Sequence, residues 1–413
     1  MSTLKVNKLR DTSGSADAIT LDPNGGAVLA GVTTVSTVKV GSGVTISSDG
    51  DVFTTGITTS STVIVGSGVT ISESGIEASG IGITVANING GQIGGRRNLI
   101  INGAMEIQQR ATGNYTTLTA GYTGIDRYHI YASPASKLTY EPSTDSPTGF
   151  SNSFKITSTS AYTPTSGNYI YIGQRVEGHN WKHLEYGTSN AKTITISFWV
   201  KSSITGTWSG IVKNSSQDRT FPWEYTISSA DTWEKKSVTV IGCPDGTWAT
   251  DDNDSAWIYF CMGSSTSGTT YLGSANSWQN QNLIGTTGSN SLPNTNGATW
   301  YMTGLQVELG TQMTEFEYRT IGEELSLCHR YCNALLKYGD GDTSSNRIYN
   351  SSYAGVNGFV HHSLPRMRAE PSITYAISGG AIHADYSSND RLQMFDSGDD
   401  NFYIYDVICE AEI

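Results

Sequence analysis

Residues able to work on a glycosidic bond come as carboxylates in this chain: Glu106, Asp126, Glu177, Glu185, Asp251, Asp252 and Asp254. Hydrolysis of such a bond needs two of them roughly 5 to 10 Å apart across a groove. The sequence gives no reason to pair any two. The loop Thr250-Asp251-Asp252-Asn253-Asp254-Ser255 is rich in the hard oxygen donors that calcium prefers. It lacks the alternate-residue spacing of a helix–loop–helix calcium loop, and a solvated turn accounts for it more simply. No Gly-x-Ser-x-Gly elbow, phosphate-binding loop or HExxH motif is present. Catalytic residues, metal ligands and cofactors are therefore not expected. What remains is aromatic residues set in polar loops, the type that stacks on the C–H patches of a sugar ring. Trp208, Trp223, Trp248 and Trp278, with Tyr349 and Tyr353 further on, lie in or beside Gly/Ser/Asn/Asp segments and are the candidate contacts.

The 413 residues suit two to four domains of roughly 100 to 200 residues each. A net charge of -12 argues against nucleic acid as a partner, because neutralising phosphates takes clustered Lys and Arg. No apolar run approaches the roughly 20 residues that cross a bilayer, so membrane insertion is not expected. The start, MSTLKVNKLRDTSGS, has no following hydrophobic segment of signal-peptide type, which predicts synthesis in a cytoplasm without export by the general route. Cys243, Cys261, Cys328, Cys332 and Cys409 are odd in number and scattered, fitting buried thiols better than a disulfide framework.

The chain changes character near residue 96. Before it, Phe53 is the only aromatic, and Gly, Thr, Ser and Val dominate. Gly31, Gly41 and Gly43 recur as Gly56, Gly66 and Gly68, a period of 25 residues. Fixed-period self-similarity means one supersecondary unit repeated along an axis. Within each unit, β-branched runs flank Gly-Ser-Gly, which reads as strand, tight turn, strand. Such a unit has little bulk to bury. Each buried aliphatic contributes roughly 1.5 to 3 kcal/mol against about 1 to 2 kcal/mol per residue of backbone ordering. A shared core is the expected remedy: chains wrapped in parallel, with Val38, Val40, Val44, Ile46, Val63, Val65, Val69 and Ile71 meeting across them. Closed symmetry then favours a homotrimer over a single-chain solenoid.

After residue 96 the patterning predicts an all-β protein with its own core. Ile194, Ile196, Phe198 and Val200 alternate in TITISFWVK, Val238 and Val240 in KSVTVI, and WIYFCM at Trp257–Met262 is nearly continuous apolar. Leu305, Val307 and Leu309 face one way in LQVEL. Strands at this spacing, joined by Gly/Ser/Asn/Asp loops, indicate a β-sandwich or jelly roll over 96–320. One helix, about 322–338, places Leu325, Cys328, Cys332 and Leu335 on a stripe, with Glu323 and Glu324 in its first turn and Lys337 in its last. A small β-sandwich completes 321–413. The remaining segments are 1–27 and the repeat stalk 28–95.

The Gly/Thr-rich repeat, NLIINGAMEIQQR with DRYHIY, LQVELGTQMTEFEYRTIGEELSLCHRYC and LPRMRAEPSITY together resemble tail-fibre and adhesin proteins of tailed bacteriophages, including those of marine bacteria. SFWVKSS followed by TWEKKSVTV is similar to the carbohydrate-binding jelly-roll modules attached to such fibres. The resemblance implies a non-enzymatic homotrimeric virion fibre made in the host cytoplasm. Residues 1–27 would attach it to the virion through phage tail or adaptor proteins, and the distal part would meet a bacterial surface glycan or outer-membrane protein. A fibre or decoration on the phage head, and a glycan depolymerase tailspike, are the alternatives. Some related tips bind axial metal through His-x-His pairs, whereas here His361 and His362 are adjacent and point to opposite faces of a strand.

Overall fold

The computed structural model describes residues 8–9, 19–21, 27–29, 62–65, 69–72, 75–78, 96–110, 120–122, 124–335, 348–350, 358–378, 382–396 and 402–412. The chain divides into two compact units, Met1–Thr84 and Val85–Ile413.

In the first unit β1 (Lys8–Leu9), β2 (Ile19–Leu21) and β3 (Ala27–Leu29) form one antiparallel sheet. β4 (Thr62–Val65), β5 (Val69–Ser72) and β6 (Gly75–Ala78) form another. Val63 lies opposite Ile71 and Val65 opposite Val69 in the β4–β5 register. This is the strand, short connection, strand pattern expected of the repeat. The earlier copy, with Val38, Val40, Val44 and Ile46, lies outside the described residues.

The second unit is all-β apart from short helices. Its strands run β7 (Ala120–Tyr122), β8 (His129–Ala132), β9 (Leu138–Ser143), β10 (Ser153–Ser158), β11 (Tyr169–Glu177), β12 (Ile194–Ser202), β13 (Gly206–Asn214) and β14 (Thr220–Ile227). β15 (Glu234–Val240), β16 (Asp254–Ser264), β17 (Leu272–Gly273), β18 (Gly285–Thr286) and β19 (Thr299–Leu309) follow. They build a five-stranded sheet, β15-β12-β19-β10-β9, and a six-stranded sheet, β14-β13-β16-β11-β8-β7. One core lies between them. Ile194, Ile196, Phe198 and Val200 meet Ile258, Phe260 and Met262 of the other sheet, as alternation with period two requires. Trp208, Trp223 and Trp300 are wholly buried in this core. The indole Nε1 of Trp300 donates to Tyr225 Oη at 3.1 Å, so its polar edge is satisfied. Gly210 lies between β14 and β16 because a Cβ there would sit 2.3 Å from the Trp223 ring.

The helix α2 (Ile321–His329), second after the short α1 (Gly178–Trp181), starts where the sequence places it. Thr320 caps it by accepting from the Glu323 amide, and both Glu323 and Glu324 occupy its first turn. It ends nine residues before Tyr338, the expected end. Cys332 belongs instead to β20 (Cys332–Ala334), which pairs with the last strand, β26 (Phe402–Glu410). The expected Leu325–Leu335 stripe is therefore split: Cys328 packs against Ile101, Ile107 and Tyr331, while Leu335 packs against the distal core. Strand pairing across the far end of the chain outweighs local helical periodicity.

The rest is β21 (Ile348–Asn350), β22 (Gly358–Ser363), β23 (Ser372–Ser378), β24 (Ile382–Ser388) and β25 (Arg391–Asp396). β26 pairs with β20, β21 and β23, and β25 lies between β22 and β24, giving two sheets over a smaller core that contains Met367, Leu392, Met394 and Ile404. His361 and His362 stand opposite Gln393 and Leu392 on consecutive positions of β22. All five cysteines are free and buried.

Candidate functional site

The sequence-selected aromatics separate once the strands pair. Trp208 and Trp223 correct the loop reading: both lie within strands, on the inward face of the six-stranded sheet, and offer no surface to a ligand. Their flanking Gly and Ser residues mark places where the sheet accommodates an indole, not loops. Trp248 is 8% exposed, wedged among Trp181, Tyr186 and Trp278 with its Nε1 donating to the Asp245 carbonyl at 3.1 Å. Trp278 is half-buried, and its Nε1 donates to the Ile241 carbonyl at 2.9 Å. Both brace a corner of the sandwich. Tyr349 falls on β21, but its side chain, like all of Tyr353, lies outside the described residues.

A different set of rings comes together on the outward face of the six-stranded sheet. In β11 the sequence YIYIGQRVE sends Ile170 and Ile172 inward and Tyr169, Tyr171, Gly173 and Arg175 outward. In β16, Trp257, Tyr259 and Cys261 face the same way, and Tyr131 joins them from β8. This is why WIYFCM reads as continuous apolar: both of its faces are covered. Tyr131 stacks on Tyr169 at 4.7 Å between ring centres, and Tyr171 on Tyr259 at 4.1 Å. Tyr271, from the loop before β17, lies 4.4 Å from Tyr169 at 60° to its plane. Gly173 makes room, since a Cβ there would approach the Tyr259 ring to 2.7 Å. Tyr171, Trp257 and Tyr259 form the buried floor of this face, whereas Tyr131, Tyr169 and Tyr271 keep part of their surface in water.

Two cations sit among the rings. Arg175 lies 4.2 Å over Trp257 and donates to Tyr259 Oη at 2.8 Å, with Asp254 at 3.8 Å. Lys213 lies 4.7 Å over Trp257, is 1% exposed, and donates to the amide oxygens of Asn282 at 2.9 Å and Gln217 at 3.3 Å. Burial, reinforced by Arg175, lowers its pKa to about 7. The same two causes lower that of His129 to about 3, so this ring is neutral. The signal for this face was present in the sequence as tyrosines at alternate positions in YIYI, but the strands that complete it are far apart in the chain.

The carboxylates are held by structural partners. Asp126 is fully buried, accepts from the amide and side chain of Gln109 at 3.0 and 2.6 Å, and lies 3.6 Å from Arg110. Burial raises it to about 6 even so. Glu177 accepts from both arms of Arg330 at 2.9 and 2.5 Å and from Tyr331 Oη at 2.7 Å. Asp252 pairs with the same Arg330 at 2.9 Å. Asp251 accepts from the Asn253 amide at 3.0 Å, Glu185 pairs with Lys192 at 2.8 Å, and Glu106 accepts from Asn152 at 3.0 Å. Asp254 accepts from the Trp257 indole. Glu177, His179 and Asp252 are close enough to share an ion. Arg330 already supplies the positive charge between the two carboxylates.

Neither a protein-family model nor a curated protein matches the chain. Solved structures resemble about half of it. One is the enzymatically active domain of tailspike protein 4 from bacteriophage CBA120, at 14% identity and a TM-score of 0.29, covering 51% of this chain and 21% of that one. Another is TmCBM61 bound to β-1,4-galactotriose, at 8% identity and 0.27, covering 52% and 99%. A third is the family 11 carbohydrate-binding module of Clostridium thermocellum with a mixed-linked tetrasaccharide, at 14% identity and 0.24, covering 50% and 99%.

Proposed function

We propose that the second unit is a non-enzymatic glycan-binding module, and that the observation carrying this reading is the row of partly exposed tyrosines, Tyr131, Tyr169 and Tyr271. Rings and their hydroxyls together suit a ligand with apolar C–H patches and many hydroxyl groups. The carboxylates named above are tied into ion pairs and turns, which supports recognition over hydrolysis. In the fuller proposal, the repeat unit assembles three chains into a bacteriophage tail fibre, docked on tail or adaptor proteins and presenting the modules to a host surface glycan.

Calorimetric titration with polysaccharide purified from a host envelope tests the module. Tyr169→Ala should weaken binding roughly 2- to 12-fold, the worth of one aromatic contact, with an unchanged unfolding temperature. Equal affinity of wild type and variant would remove the site from this face. Release of reducing ends during the titration would favour a depolymerase. Antibody labelling of intact particles separates tail from head mounting.

A further inference from the structure

Where the aromatic row ends, the surface opens into a pocket of about 170 Å³. Tyr271 leads directly into Leu272, which lines it, and Cys261, two positions along β16 from Tyr259, forms part of its wall. Ser264, Thr266, Ser289, Asn290, Ser291 and Asn294 supply hydroxyls and amides around it. The lining holds no carboxylate, ammonium, guanidinium or imidazole. Its one titratable side chain is the Cys261 thiol, which burial pushes up to about 11 and so keeps neutral. The Ser291 hydroxyl is buried without a hydrogen-bond partner among the described residues, although buried polar atoms are ordinarily paired. That hydroxyl lies against Gly263, within the wall itself. Gly263 at φ +159° keeps the wall thin, since a Cβ there would stand 2.6 Å from Ser291 Oγ.

We propose that this pocket receives one uncharged sugar ring at the end of a glycan whose preceding rings lie along Tyr271, Tyr169 and Tyr131. The proposal rests on the glycan-binding reading above and adds to it the part of the polymer that is recognised. A ring with several hydroxyls matches a lining of hydroxyls and amides, each able to donate and accept. An acidic sugar would bring a charge into a pocket with nothing to pair it. The pocket volume of about 170 Å³ suits a single ring, and the terminal position proposed for that ring is what the binding stoichiometry tests.

Size-fractionated neutral glucans, galactans, mannans and xylans, with alginate as an acidic comparison, serve as probes for calorimetry on the full chain. Recognition of an end predicts a stoichiometry that stays constant per polysaccharide chain as its length increases. It also predicts that Asn294→Trp, which fills the pocket from its exposed rim, abolishes binding with an unchanged unfolding temperature. Stoichiometry that rises in proportion to length, with Asn294→Trp neutral, overturns the pocket while leaving the tyrosine row intact. Binding of alginate alone overturns the uncharged class. Failure of every polysaccharide, including the host envelope fraction, overturns the glycan reading itself.

Discussion

At the scale of single residues, Lys213 is the group whose placement has the plainest consequence. Its ammonium is surrounded by rings and amides, and burial lowers its pKa from 10.5 to about 7. Between those values the unfolded chain holds a proton that the folded chain has released, so this residue makes stability rise with pH across that window. Below pH 7 both states are protonated, and the full cost of burying the charge is present. Lys213→Met removes the term. The stability difference between variant and wild type should be largest below pH 7 and shrink by roughly 1 kcal/mol per pH unit above it, read from urea unfolding at pH 6 to 9. Cysteine and tyrosine titrations near the top of this range are common to both proteins and cancel in the difference. Parallel profiles would mean that Lys213 stays charged in the fold. A second residue-scale expectation concerns Gly210. Adding a methyl group there drives into the Trp223 ring and strand β16, so Gly210→Ala should destabilise by about 1 to 3 kcal/mol, measured by the same unfolding.

Among the elements, β26 and the two residues after it tie the distal part to the sandwich. Arg110 meets Glu410 at 2.6 Å and Glu412 at 3.0 Å, and Arg127 pairs with Glu412 while lying 3.5 Å over the Tyr331 ring. The side chain of Arg127 is 1% exposed and that of Glu412 is 7% exposed, so removing the acid strands a buried cation. Glu412→Gln should cost about 3 to 5 kcal/mol and lower the unfolding temperature by about 10 °C, whereas Arg127→Met with Glu412→Leu should recover part of that loss. A drop of less than 2 °C for Glu412→Gln would show that the pair is not an anchor. This element also marks the limit of what the sequence makes legible. Alternation identified β12, β15 and β19, because inward and outward positions differ sharply in a two-layer sandwich, and β16 was legible as a continuous apolar run because both of its faces are covered. The end of α2 was not legible, since Cys332 leaves the helix to pair with Glu410, a partner distant in the chain. The aromatic face was half legible. Tyr169 and Tyr171 share a side in any strand, but that Tyr131, Trp257, Tyr259 and Tyr271 join them depends on which strands become neighbours. Local composition instead pointed to Trp208 and Trp223, which the pairing of β13 with β14 turns into the core.

For the molecule as a whole, the sharpest contrast among the described residues is between a first unit whose strands are two to four residues long and a second unit with large buried cores of its own. A chain of 85–413 contains every strand from β7 onward, so it should fold alone, with the unfolding temperature that the second unit has in the full chain. The proposed trimer assigns assembly to the repeat. Full-length protein should therefore sediment as three chains and 85–413 as one. Intrinsic affinity for a soluble oligosaccharide should be the same in both, because the tyrosine row and its pocket belong to one chain. On an immobilised polysaccharide the full-length protein should bind about 100-fold or more tightly, since the second and third modules then bind at the high effective concentration set by their tether. Equal binding on the immobilised surface by a trimer and by the isolated unit would mean that the three faces cannot engage one surface together. A full-length monomer would instead return the repeat to a single-chain solenoid and remove avidity from the mechanism.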